Sequence, residues 1–270
     1  MNVNEKLKRP EILFMSHGGG PLPLLGDPDH AELVKVMEAV ASELPKPTAI
    51  IVISAHWEEG SPTITSASRP ALIYDYYGFP PESYQIQYPA PGAPELARQV
   101  HSLLKDQGIA ANLTEQRGYD HGMFVPLKIM YPQADIPCIQ LSLLKSLNAQ
   151  QHVALGAALG SLNDDGILIL GSGFSFHNLR EFFAPSTERT RLMNEAFETW
   201  LIETCSSKNL SEKERCDRLL HWDQAPHARY CHPREEHLLP LHVCYGAAQK
   251  PCRKVYEFYA SGKKASAYLW

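Results

Sequence analysis

Apolar residues along the chain fall into two patterns, short continuous runs and longer stretches in which they recur every three or four positions. Continuous runs rich in Ile, Val and Leu are typical of strands buried on both faces of a sheet. They predict strands at 11–15, 48–56, 136–143 and 166–173, with weaker candidates at 62–66, 109–113 and 253–259. The helical spacing predicts helices at 30–44, 94–107, 148–162, 187–206 and 234–247. We therefore expect an α/β fold, with a central mixed, largely parallel sheet flanked by helices.

The composition narrows the class of protein. The chain has 270 residues, 44% of them hydrophobic, and shows no linker or internal repeat, so we expect a single domain over 1–270. Its formal net charge of −5 is carried by scattered residues, which predicts no nucleic-acid partner. The longest apolar run, 49–55, is far shorter than the ~20 residues of a membrane span, and we expect a cytoplasmic protein with no membrane partner. The six cysteines show no CxxC spacing and are expected to be reduced.

Histidines stand at or near the ends of three predicted strands. His17 follows the first strand in FMSHGGG, His56 ends the second in VISAHWEE, and His177 comes shortly after another in GSGFSFHNL. Ligands of open α/β sheets bind outside the carboxyl ends of the strands, so these side chains would converge on one site. The glycines after His17 would let a ligand or a second loop approach closely. Any one of these histidines alone would more simply satisfy a hydrogen bond in the core, but three at one edge favour a site.

A fourth candidate, His121, lies in GYDHGM, away from any predicted strand or helix. Histidines in loops are often functional. The alternative is a turn in which Asp120 caps the backbone. The sequence does not choose between these two interpretations.

Four further histidines recur every fifth position between 227 and 242. Five residues advance an α-helix by ~140°, so the four cannot share one helical face. In the helix predicted at 234–247, Pro240 would create a kink, and irregular helix is common near functional sites. His237 lies beside the expected kink. His232 precedes the predicted helix and would cap it or line a pocket.

Seven motifs, taken in order, make the sequence resemble a known family. They are HGGGP, SAHW, YDYYGFP, YPAPG, DHG, SGxxxHNL and HPREEHLLPL. In this order they are similar to the class III extradiol ring-cleavage dioxygenases, and most of all to the DOPA 4,5-dioxygenase-like branch. The similarity runs from about His17 to about Ala247.

The resemblance implies a single metal ion held by His17, His56 and His237, at the carboxyl ends of the strands, with His121 and His177 as acid–base residues. The best-known enzymes with this fold hold iron(II) with two histidines and a carboxylate. Here a histidine occupies the third position, and three neutral imidazoles also suit zinc. We therefore expect one divalent metal, Fe(II) for dioxygenase activity or Zn(II) as found, and no organic cofactor.

With iron, the implied reaction inserts O₂ into a small aromatic diol. His177 would accept a proton from the catechol and His121 would act as the acid, although His177 is also a candidate fourth metal ligand. Tyr74 and Asp75, in the Tyr- and Pro-rich loop, are candidates for binding substrate together with His232; the alternative for the loop tyrosines is packing at the surface. The product would be a muconic semialdehyde.

Two other functions fit the same residues. A zinc hydrolase or lyase would use the three metal-binding histidines with water as the nucleophile. A scaffold protein would keep the pocket without catalysis, and its acid–base histidines would then be dispensable. The sequence does not predict the oligomeric state or which catechol is the substrate.

Overall fold

The computed structural model describes residues 10–162, 164, 166–182 and 184–270, and its core is one eight-stranded sheet. The strands are β1 (Glu11–Ser16), β2 (Ala49–Glu59), β3 (Thr63–Thr65), β4 (Asn112–Thr114), β5 (Cys138–Leu144), β6 (Ile167–Gly173), β7 (Lys254–Ala260) and β8 (Lys263–Leu269). Their order across the sheet is β4-β3-β5-β2-β6-β1-β8-β7. The central strands β5, β2, β6 and β1 run parallel, and antiparallel pairings join β3 to β5 and β1 to β8 to β7. The predicted mixed, largely parallel sheet is confirmed.

The four strong strand predictions are confirmed to within a few residues, and the three weaker ones also correspond to strands. The central runs are buried on both sides, as at Leu13 and Ile51, which is why they are continuously apolar. Strand β8 was not predicted from the sequence. Its residues, KKASAYL, are small or polar at most positions, and it becomes a strand by pairing with β7 and β1.

Nine α-helices surround the sheet in the part of the chain that the structure describes. They are α1 (Ala31–Glu43), α2 (Pro94–Asp106), α3 (His121–Met130), α4 (Ala149–Leu159), α5 (Leu179–Phe182), α6 (Glu188–Ser206), α7 (Glu212–Leu220), α8 (Ala228–Cys231) and α9 (Leu239–Ala248). Short 3₁₀ turns lie at Leu22–Leu25, Pro28–His30, Pro81–Gln85 and Trp222–Gln224. Four of the five predicted helices are confirmed.

Two helix interpretations were wrong. The helix predicted at 234–247 begins only at Leu239, so Pro240 lies in its first turn, where a missing N–H costs nothing, and there is no kink. His237 instead lies in an irregular turn before α9. His121 is not in a loop but is the first residue of α3, a buried helix that contains Pro126.

Close packing of α4 on α9 anchors the turn that carries His237. A Cβ on Gly156 would lie 2.0 Å from the carbonyl oxygen of Val243, so only glycine permits the contact. Helix α9, and with it the turn before it, is thus held at a fixed place over the sheet. All six cysteines are free and five of them are buried, as expected. In the described part of the chain, no helix combines the length and apolarity that a membrane crossing requires.

Candidate metal centre

The fold brings four of the candidate histidines to one edge of the sheet. His17 follows β1, His56 lies near the end of β2, and His177 comes shortly after β6, and these three strands are neighbours that run parallel. His237 joins them because its carbonyl accepts a hydrogen bond of 2.9 Å from the backbone N–H of Phe174, just past β6. Distant parts of the sequence therefore supply one cluster.

The three histidines expected as metal ligands lie in contact distance of one another. The Nε2 atoms of His17 and His56 are 2.9 Å apart. The ring of His237 has its centre 5.2 Å from that of His17 and 4.9 Å from that of His56. One ring nitrogen from each of the three lies within 4.8 Å of the others.

Hydrogen bonds on the far side of the rings determine which nitrogens face the centre. The Ser172 hydroxyl donates to the carbonyl of Gly122, so it accepts from Nδ1–H of His17 at 3.0 Å. The Glu236 carboxylate accepts from Nδ1–H of His237 at 3.1 Å. Both histidines are therefore left with an unprotonated Nε2. Neighbouring groups that fix the tautomer in this way are typical of metal-binding histidines, and the donor set fits a divalent metal.

The surroundings also keep these imidazoles neutral, which is the form that binds a metal. Burial lowers the pKa of His17 well below its ordinary value, and the nearby imidazoles, His56 first, lower it further. Burial and then His177 do the same to the pKa of His237. The pKa of His56 is lowered by burial and by His121, against the opposite effect of Asp75.

His121 lies beside the three, with its ring centre 3.9 Å from that of His56. The Asp75 carboxylate accepts a hydrogen bond from the backbone N–H of His121 at 2.9 Å and a second from Nδ1–H of the same residue at 2.8 Å. Asp120 makes no cap for α3; its carboxylate accepts from Ser54 and Arg117 instead. Asp75 thus caps the helix from a distant loop and holds the ring of His121.

His177 stacks flat on His237, with ring centres 3.3 Å apart and planes inclined by 13°. Its Nδ1 lies 3.2 Å from the same Glu236 oxygen that accepts from His237. Glu236 therefore orients His237, one of the three expected ligands, and His177 beside it. His177 forms a cluster with Glu236 and His237, while the three-histidine group contains His17, His56 and His237.

All five of these histidines line a cavity of about 750 Å³, which is within the range of small-molecule sites. Aromatic side chains form much of the remaining wall, including Tyr76, Phe79, Phe174 and Phe182. Tyr76 is fixed by the hydrogen bond of its hydroxyl to the carbonyl of Ser83, at 2.6 Å. The site suits a flat, partly apolar molecule.

The residues expected to bind substrate are placed differently. Tyr74 donates its hydroxyl proton to the carbonyl of Ile86, Asp75 holds His121, and neither is among the residues that line the cavity. His232 is fully buried outside the cavity, with Nε2 2.7 Å from the carbonyl oxygen of Ser175. These positions give no support to direct substrate binding by the three residues.

The glycines after His17 form a tight turn under a second loop, as expected. Gly18 has a φ of 82°, and a Cβ there would lie 2.5 Å from the ring of Pro23. The backbone N–H of Gly19 donates to Nε2 of His30 at 3.0 Å, and His30 is held in turn by Asp27. The turn brings a backbone edge close to the cavity without filling it.

Ser172 and Glu236, which hold His17 and His237, were not predicted from the sequence. Glu236 directly precedes His237, so its nearness was visible, although not its hydrogen bonds. Ser172 is 155 residues from His17, and only the pairing of β1 with β6 brings them together. No local signal identifies such a residue.

The sheet and this cluster define the class of protein: an α/β fold with a candidate mononuclear metal centre at the strand ends, below an aromatic-lined cavity. Residues 11–268 match the catalytic LigB subunit of aromatic ring-opening dioxygenase. The chain belongs to this family, and the resemblance drawn from its motifs is confirmed.

Individual relatives agree with the family. The chain is 39% identical to a 4,5-DOPA dioxygenase extradiol of Beta vulgaris over 241 residues, which covers 88% of this chain and 87% of the relative. It is 38% identical to the dioxygenase tasH of Hapsidospora irregularis over 262 residues, covering 88% and 78%. The crystal structure of an uncharacterized protein from Escherichia coli K12 has a TM-score of 0.76 and 28% identity, covering 96% of this chain and 98% of that one. Together these findings support an aromatic ring-opening dioxygenase.

Proposed function

We propose that the protein, acting as one catalytic domain, is a metal-dependent extradiol dioxygenase that inserts O₂ into a catechol. The observation that carries the proposal is the convergence of three neutral imidazoles on one point of an aromatic-lined cavity, with two further histidines beside them. His17, His56 and His237 would hold the metal. We propose Fe(II) as the working ion, which when bound would supply the redox chemistry that a reaction with O₂ needs.

The remaining histidines would move protons. His177, held through Nδ1 by the Glu236 carboxylate at 3.2 Å, would accept a proton from a catechol hydroxyl at Nε2. His121, held through Nδ1 by the Asp75 carboxylate at 2.8 Å, would deliver a proton to oxygen as the ring opens. Both atoms of O₂ enter the product, so the reaction needs no external reductant.

Among catechols, we propose DOPA as the preferred substrate, with cleavage between ring carbons 4 and 5. Support comes from the relative in Beta vulgaris, which is a 4,5-DOPA dioxygenase extradiol and aligns with most of this chain. The seco product would carry an aldehyde that can react with the amine of the same molecule.

The test is anaerobic loading of metal-free protein with Fe(II), followed by oxygen uptake and product absorbance over a panel of catechols. We expect one O₂ consumed per catechol and a yellow semialdehyde. Zinc-loaded protein, which lacks redox chemistry, is the matched control and should be inactive. Equal activity with both metals would contradict the proposal and favour a hydrolase or lyase. No oxygen uptake with any catechol would favour the scaffold interpretation.

A further inference from the structure

One ion pair lies in the wall of the cavity close to the histidines. The guanidinium of Arg234 contacts Glu58 with two parallel hydrogen bonds, each 2.6 Å long, and both side chains line the cavity. Glu58 is two residues from His56, so their Cα atoms are at most about 7 Å apart. Arg234 also lies 3.4 Å from Glu236, which orients His237. Glu58 is thus close to one proposed metal ligand, and Arg234 contacts the carboxylate that orients another.

Among the described residues that line the cavity, the charged side chain besides this pair and the histidines is Glu236, which already contacts two imidazoles. Apart from its histidines, the described residues that line the cavity include three with formal charges: Glu58, Arg234 and Glu236. One oxygen of Glu236 is shared by two imidazoles. Glu58 and Arg234 thus present one negative and one positive charge side by side, and no role in the proposed reaction uses them.

An exposed ion pair of this kind contributes little to stability, because water and salt screen it and two long side chains must be held in place. The Arg234 side chain is 51% exposed and that of Glu58 is 21% exposed. The guanidinium has five N–H donors and directs two of them to Glu58, so others stay available at the same edge of the cavity. The carboxylate of Glu58 likewise has further lone pairs for an N–H donor.

We propose that Glu58 and Arg234 form a subsite for the zwitterionic end of an α-amino acid, with Arg234 binding the carboxylate and Glu58 the ammonium group. The inference rests on the proposed function, since it places the two hydroxyls of the ring at the metal centre. The amino-acid arm, at the other end of the substrate molecule, then meets Glu58 and Arg234. A planar guanidinium matches a carboxylate better than a point charge does. The subsite selects catechols that carry both charges.

The test compares four substrates of the iron-loaded protein: DOPA, dopamine without the carboxylate, 3,4-dihydroxyphenylpropionate without the ammonium group, and 4-methylcatechol without either. A charge-assisted hydrogen bond changes affinity by about ten- to a hundredfold. We expect kcat/KM for DOPA to exceed that for each analogue by at least about tenfold. A protein that does not distinguish DOPA from dopamine and the propionate would overturn the proposal, and this comparison needs no variant.

Two variants assign the discrimination to the pair. Arg234→Gln should remove most of the preference for DOPA over dopamine, and Glu58→Gln most of the preference for DOPA over the propionate. The matched control is Arg229→Gln, because Arg229 pairs with Glu235 outside the cavity at nearly the same exposures, 51% and 22%. It should keep both ratios. Ratios that stay unchanged in Arg234→Gln and Glu58→Gln would overturn the assignment.

Binding to zinc-loaded protein separates this inference from the proposed function. Under anaerobic conditions, calorimetric titration should give a Kd for DOPA at least about tenfold below that for 4-methylcatechol, and Arg234→Gln should remove the difference. Equal Kd values would overturn the subsite even if ring cleavage is observed. An absence of oxygen uptake, with the difference in Kd intact, would instead refute the dioxygenase and leave the subsite supported.

Discussion

At the scale of single residues, the centre depends on which ring nitrogen each histidine directs inward. A histidine can coordinate a metal through either nitrogen, and the hydrogen bond on the opposite side decides. Here a hydroxyl selects Nε2 of His17 and a carboxylate selects Nε2 of His237. The neutral state of these rings follows from burial, which penalises the charged form.

We expect His17→Ala, His56→Ala and His237→Ala each to weaken metal binding by at least about a hundredfold, since loss of even a supporting residue costs ten- to a hundredfold. Metal content after dialysis measures the effect. The control is His221→Ala, an exposed histidine outside the cavity, which should keep its metal. Full metal content in all three variants would contradict the assigned ligands.

His121→Phe and His177→Phe should keep the metal and lose about 10²–10⁴-fold in kcat, which is the contribution of an acid–base residue. Metal content and turnover are measured on the same samples. Strongly reduced metal in His177→Phe would make His177 a fourth ligand and leave His121 as the catalytic histidine. Unchanged turnover in both variants would contradict the acid–base roles.

At the scale of elements, the turn after β1 sets the shape of the site. Gly18 has a left-handed backbone, and a Cβ added there would lie 2.5 Å from the ring of Pro23. A substitution therefore meets both backbone strain and a steric clash. The Pro23 side chain cannot move away from the added Cβ, because its ring is bonded to the backbone of the turn. The elements on either side would have to shift.

We expect Gly18→Ala to destabilise the protein by more than the ~1–2 kcal/mol of left-handed strain alone and to lower its metal content. Gly26→Ala is the matched control, because its φ of 74° is similar but nothing lies within 4 Å of the added Cβ. It should show the strain without loss of metal. Urea unfolding and metal analysis measure the two effects. Equal results for both variants would mean that the turn does not shape the site.

At the scale of the whole molecule, a buried polar network joins α6 to the sheet. Glu198 on α6 is fully buried and accepts a hydrogen bond of 2.6 Å from Ser266 on β8, which also contacts the hydroxyl of Tyr268. Burial raises the pKa of Glu198 from 4.5 to about 7. The folded protein therefore keeps a proton that the unfolded chain releases.

The sign of the pH effect follows from this proton. Between pH 4.5 and 7 the folded state binds one more proton at Glu198 than the unfolded state, so stability falls as pH rises, by about 3 kcal/mol in total. We expect Glu198→Gln to remove this part of the decline, as measured by urea unfolding at pH 5 and pH 7.5. Glu203→Gln, an exposed position on the same helix, should keep it. Parallel pH curves for Glu198→Gln and the unaltered protein would contradict the prediction.

The sequence by itself predicted the α/β class and the central strands, and its motifs singled out the five histidines that line the cavity. The strands were recognisable because a strand buried on both faces must be apolar along its length, as at 166–173. The histidines were recognisable because His17, His56 and His177 end or follow such strands, and parallel strands place their carboxyl ends at one edge.

Only the tertiary structure shows how those histidines are placed and held. In the structure, His121 is the first residue of a helix, and His237 lies in a turn ahead of α9. Asp75, expected to contact substrate, instead holds His121 by a hydrogen bond. These features depend on hydrogen bonds between residues far apart in the chain, such as the 2.8 Å contact of Asp75 with His121. Local patterns of polarity report whether a segment is buried, but they carry no information about which distant polar group will meet it.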